Sequence, residues 1–189
     1  MNTAAGETGG LPMKLYHTGN IEIPAPDIRH GRVNADFGQG FYLTPDEDFT
    51  WRWARKDAVV NTYELDLAGL VVHRFERDAA WFDYIFKNRR ARDTLDADVV
   101  IGPIANDTIF DTFGIISSGW LKPEDALSLL MIGPEYTQVA VKTDKAAAQL
   151  KWTGARIVTG VREQREALAE EMARYDARFA EQVRRITGE

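Results

Sequence analysis

The stretch DFGQGFYLT, Asp36 to Thr44, decides the class of fold. It contains a Gly-x-Gly but lacks the third glycine of a dinucleotide fingerprint. It also runs into a strand-like FYLT, where that fingerprint would open a helix. A doubly wound nucleotide-binding sheet is therefore excluded. Gly38 and Gly40 permit tight turns or close backbone approach. Along a strand, Phe41 and Tyr42 point to opposite faces, so one enters the core while the other can face a pocket. Alone, Tyr42 reads first as a core residue.

Upstream, MKLYH (13–17) reads as a short strand ending at His17, followed by Thr18 and Gly19. A strand-end histidine beside a glycine can face a cleft, where a ring nitrogen and a backbone group both meet a ligand. It can equally bond at a sheet edge. The segment from Ile21 to Gly40 is punctuated by Pro and Gly and reads as irregular. Downstream, Thr44, Pro45 and Glu47 spell a capping box, predicting a helix to about Ala58 with Phe49 and Trp53 on one face.

VNTYELDL alternates apolar and polar residues as a half-buried strand does. Gly69 marks a turn, and LVVHRF reads as the second strand of a hairpin. Asp78 is placed to cap a helix through about Arg90, with Ala79, Phe82, Ile85 and Phe86 as its apolar positions. Lys87, Arg89, Arg90 and Arg92 suit the end of that helix. VVIG is a short buried strand. Beyond it, Asn106 and Asp107 either cap a helix from Asp107 to about Ser117 or stand at a cleft mouth. A further helix is expected over Pro123–Met131. TQVAVKT (137–143) is a strand with Gln138 on the face of Ala140. Thr143 caps the helix DKAAAQLKW, and ARIVT is the last strand.

From about Arg162 the chain is helical, with Leu168, Met172, Tyr175, Phe179, Val183 and Ile186 forming one apolar stripe. The stripe either packs on its own domain or serves self-association or a partner. The whole pattern is α+β: a flexible tail over 1–12, a main domain over 13–159 and an amphipathic C-terminal helix over 160–189.

The 189 residues are 44% hydrophobic, enough for a core, and contain no Cys, which excludes disulfides, thiolate zinc sites and a Cys nucleophile. A cytoplasmic location and no metal are the expectations, since His17, His30 and His73 lack ligand spacing. A net charge of -6 argues against a broad nucleic-acid face. No run of about 18 apolar residues exists to span a membrane.

The ordered blocks LYHTGN, DFGQGFYLT, FDYIFKNRR, DADVVIGPIANDT and TQVAVKTDKAAAQLKW resemble the domain-of-unknown-function 3990 family over about residues 13–152. That resemblance implies an ADP-ribosyltransferase-like fold, a split β-sandwich of two small antiparallel sheets with flanking helices and a C-terminal helical extension. It implies NAD as co-substrate, held between the sheets. His17 matches the strand-end histidine on the ribose hydroxyls, with Thr18 and Gly19 beside it. Tyr42 matches the tyrosine that stacks on nicotinamide, with Phe41 and Asn106 nearby. Arg32 is the candidate for the pyrophosphate, and the place of Asn88 and Arg89 inside FDYIFKNRR implies a structural or NAD-adjacent role for them as the alternative to the helix end. Gln138 stands where such transferases usually carry Glu.

Gln138 can hold a hydroxyl but cannot offset developing positive charge. Asp107 is then the first candidate carboxylate and Asp36 the second, unless the acceptor needs no base. The implied activity is mono-ADP-ribosyl transfer to a macromolecule, a protein in preference to a nucleic acid. A toxin with a neutralising antitoxin-type partner is the setting the resemblance suggests. NAD glycohydrolysis and a catalytically inert NAD-fold binding module are the alternatives.

Overall fold

The computed structural model describes residues 11–105, 122–133, 136–159 and 161–188. In chain order they form β1 (Met13–Gly19), β2 (Phe41–Leu43), α1 (Glu47–Trp53), β3 (Val59–Leu65), β4 (Val72–Arg74), α2 (Ala79–Asn88), β5 (Val99–Pro103), α3 (Pro123–Leu130), β6 (Thr137–Val141), α4 (Asp144–Ala148), β7 (Leu150–Ile157) and α5 (Val161–Thr187). The chain divides into two compact units, Met1–Ile104 with Tyr136–Val161, and Ala105–Glu135 with Arg162–Glu189.

The first unit contains two small sheets. One has the order β1-β3-β7 and the other β2-β6-β5-β4. The α+β class expected from sequence is what the structure has. The first sheet is antiparallel throughout, but in the second β4 runs parallel to β5, so the expectation of two purely antiparallel sheets is corrected. A paired backbone bridge, Tyr16 N–H to Thr44 O at 2.8 Å and Thr44 N–H to Tyr16 O at 2.9 Å, joins β1 to the end of β2.

Both sheets feed one apolar core. Leu15, Tyr63 and Leu65 come from the first sheet, and Phe41, Leu43, Val99, Ile101, Val139 and Val141 from the second. The outer face of the first sheet is covered separately by Tyr16, Val60, Ala54, Ala58 and Val158, with Trp51 against them. The alternation read in VNTYEL is thus between Tyr63 and Leu65 in the shared core and Thr62 and Glu64 on the other face, where only Val60 enters the second cluster.

Four local expectations change. The hairpin of VNTYEL with LVVHRF does not form, because both edges of β3 are taken by β1 and β7. Gly69 turns the chain at φ +72°, Leu70 anchors in the core, and Val72–Arg74 pairs with Val99–Ile101 instead. The helix begun at Thr143 does not reach Trp152. It closes at Ala148, and Leu150 and Trp152 enter β7 opposite Leu65 and Tyr63. Good helix formers yield here to strand pairing. The Thr44 capping box is replaced by Asp46 at the N-cap, and α1 stops at Trp53 before Asp57 turns at φ +66°. In α2, Asp78 caps as expected, its carboxylate accepting from Trp81 N–H at 2.9 Å, but the buried face is Trp81, Ile85 and Asn88.

In the second unit, the stripe from Leu168 to Ile186 is half-buried along α5 as its spacing requires. Gln182 Nε2 donates to Ser128 Oγ at 3.1 Å. Among the described residues no helix is long and apolar enough to cross a membrane. Of the tail expected over 1–12, Leu11 and Pro12 are described and both are exposed.

Candidate functional site

His17 lies on the core-facing side of β1, two residues from Leu15, and its ring rests on Phe41 at 4.4 Å between centroids. Nδ1 lies 2.7 Å from the carbonyl oxygen of Tyr42. A carbonyl only accepts, so this contact makes Nδ1 the protonated nitrogen and leaves Nε2 as an acceptor. Nε2 meets no partner among the described residues. A Cβ on Gly19 would sit 3.7 Å from Nε2 and 3.5 Å from Ile23 Cδ1, both ordinary contacts. Packing therefore does not demand glycine there, and its missing side chain leaves the edge of the imidazole open.

Burial pulls the His17 imidazole below its ordinary pKa, while the bond to the Tyr42 carbonyl opposes this in part. The neutral form is favoured in the fold. Its contribution to stability is complete above the unfolded value near 6.5 and is lost as pH falls through the lower folded value. We expect the His17 ring resonances, followed by NMR, to titrate below pH 6.5 and to report the Nδ1–H tautomer at neutral pH. A midpoint above 6.5 would contradict this environment.

Tyr42 is half-buried on the opposite face of β2. Its hydroxyl donates to Gly38 O at 2.7 Å and accepts from Phe37 N–H at 2.8 Å. Burial raises the phenol well above its ordinary pKa, so it stays protonated. Gln138 shares that sheet face, since Tyr42 pairs with Ala140 in register. It is buried, and its Nε2 donates to Asp36 Oδ2 at 3.1 Å and to Pro103 O at 3.2 Å. Tyr42 and Gln138 thus converge on one segment, Asp36–Gly38, while the His17 ring reaches the backbone of Tyr42 from the other side.

That segment is clamped from several elements. Arg89 holds Asp36 Oδ1 through Nε at 2.5 Å and through a second guanidinium nitrogen. Asn88 donates to Asp36 O at 3.0 Å. Lys142 donates to Phe37 O at 2.8 Å and pairs with Asp93, which also accepts from Tyr84 OH at 2.9 Å. Burial brings the Lys142 ammonium down to about 8. Gly38 has φ +77°, and a Cβ there would fall 2.6 Å from Asp93 Cβ, so this position requires glycine. Of the roles open to Arg89, the helix end or a structural or NAD-adjacent one, the structure shows a structural ion pair with Asp36. Arg90 instead stacks on Phe86 at 3.6 Å.

The other candidates divide plainly. Phe41 is 8% exposed and forms the floor under His17. Thr18 Oγ1 donates to Thr50 O at 3.1 Å. Arg32 is exposed and has no ion-pair partner among the described residues. Asn106 and Asp107 lie outside the described residues. A shallow cavity of about 310 Å³, lined by Ile28, Arg29, Gln39, Lys142, Thr143 and Asp144, contains none of the sequence candidates. Asn61, which no motif marks in the sequence, is fully buried. It accepts from Ile23 N–H at 2.8 Å and Trp152 Nε1 at 3.1 Å and fixes the chain after Gly19. A polar residue at the centre of an otherwise alternating strand was the available signal.

A family model described as "Protein of unknown function (DUF3990)" matches residues 13–152. Comparison with curated proteins and with solved structures finds no match for the chain.

Proposed function

The chain belongs to the DUF3990 family of proteins of unknown function, and from its residues we propose that it binds NAD and acts as a mono-ADP-ribosyltransferase of the ADP-ribosyltransferase-like fold. The observation that carries the reading is His17: a neutral imidazole held by the Tyr42 carbonyl, with Nε2 an acceptor beside Gly19 that meets no partner among the described residues. Such a group fits a ribose hydroxyl, which donates. Arg32, exposed and without an ion partner among the described residues, fits the pyrophosphate. The half-buried Tyr42 ring is the candidate for stacking on nicotinamide, its hydroxyl pinned so that the ring keeps one orientation.

The chemistry fits these residues. Breaking the nicotinamide–ribose bond develops positive charge on the sugar, as in other glycosyl transfers. The protein must orient the dinucleotide and offset that charge. Gln138 does not fit the second task, since its amide is neutral and its Nε2 donates to Asp36 and Pro103. That observation favours a second reading, a binding module with the same NAD site and no turnover.

Incubation of labelled NAD with the protein in lysate separates these readings. Transfer predicts label on a macromolecule, released by protease treatment if the acceptor is protein and lost with His17→Ala and Tyr42→Ala. Free ADP-ribose alone indicates glycohydrolysis, and saturable binding without consumption indicates the inert module. Unaltered labelling by a folded His17→Ala variant would remove His17 from the site.

A further inference from the structure

We propose that Asp46 is the catalytic carboxylate of this NAD site, the group that takes the proton of the acceptor, an inference that rests on the transferase reading. Asp46 holds the N-cap position of α1 yet makes no capping bond with its side chain. Its Oδ2 accepts from Thr137 N–H at 2.9 Å, and its Oδ1 meets no partner among the described residues. The residue is half-buried.

Its place in the fold is the second observation. Thr44, two residues earlier, is bridged to Tyr16, the neighbour of His17. The Thr44 hydroxyl donates to Thr137 O at 2.8 Å and accepts from Asp46 N–H at 3.0 Å. Thr137 in turn precedes Gln138. Asp46 therefore stands where β1, β2 and β6 meet, next to the residues that carry His17, Tyr42 and Gln138.

The neighbouring carboxylates are committed elsewhere. Asp36 has one oxygen on Arg89 and the other on Gln138. Glu47 has one on Tyr16 OH and the other on Arg156. Asp46 alone among these three keeps an oxygen to spare, while the Thr137 bond fixes the rest of the group.

In the step, the bond between nicotinamide nitrogen and ribose C1 breaks and its electron pair stays with the nitrogen, so nicotinamide leaves neutral. The nucleophilic atom of the acceptor forms the new bond to C1. Its proton passes to Asp46 Oδ1 and then to solvent, which balances the charge that NAD brought.

The test uses the full chain with NAD and an Asp46→Asn variant, whose amide oxygen still accepts from Thr137 N–H. We expect NAD consumption to fall about a hundredfold, with NAD affinity and melting temperature unchanged. In Asp46→Ala, added formate should restore part of the turnover, which a purely structural role would not allow. Wild-type consumption by Asp46→Asn, or no formate rescue of a folded Asp46→Ala, would overturn the assignment while leaving the transferase reading intact. A wild-type protein that neither binds nor consumes NAD would instead overturn that reading, and the role of Asp46 with it.

Discussion

Arg89→Met should destabilise the protein by about 3–5 kcal/mol, the cost of leaving a buried charge without its partner. The Arg89 and Asp36 side chains are 16% and 12% exposed, so water does little to replace the lost guanidinium. Methionine fills similar volume and isolates the charge from the packing. The loss should appear in urea unfolding as a lower midpoint at unchanged slope. Asp36→Asn in the same background should cost less than in the wild type, because the orphaned carboxylate is then gone. Simple additivity of the two changes would show that the pair is not the source of the effect. Arg89→Lys keeps the charge but not the fork that places two nitrogens on one oxygen, so it should fall between the wild type and Arg89→Met.

That pair also shows what the amino-acid sequence does and does not reveal. Alternation in VNTYEL and TQVAV announces strands because each face meets a different environment. Asp78 and Thr143 announce caps because the bond they make spans three residues. Arg89 and Asp36 are 53 residues apart and belong to no periodic pattern. Only the fold of α2 against the Asp36–Gly38 segment brings them together. The partner of β4 was illegible for the same reason: a turn at Gly69 suggests a hairpin, but β3 had already used both of its edges. At the site, His17 and Tyr42 were legible as residue types in short motifs. Their relation was not, since His17 meets the Tyr42 carbonyl rather than its ring. Asp46 was hidden behind an expected capping box at Thr44, and only the contact with Thr137 N–H gives it another role.

Gln138→Glu separates two explanations of the neutral side chain at that position. If the site merely lacks its carboxylate, the substitution should create or raise NAD consumption. The geometry predicts the reverse. Gln138 is buried, and its amide supplies two donors, to Asp36 Oδ2 at 3.1 Å and to Pro103 O at 3.2 Å. A carboxylate there offers only acceptors, facing one carboxylate and one carbonyl. Two acceptors lose their partner at about 1–3 kcal/mol each, and like charges are brought together as well. The expected loss at pH 7 is therefore about 3 kcal/mol or more, with no gain in turnover. The introduced carboxyl should have its folded pKa raised above an unfolded value near 4.3. Protonated, it can donate once to Asp36. The destabilisation relative to wild type should thus be larger at pH 8 than at pH 5, as read from paired urea titrations. A stable Gln138→Glu variant with enhanced NAD consumption would show that the amide is an absence rather than a requirement, and would return the catalytic carboxylate from Asp46 to β6.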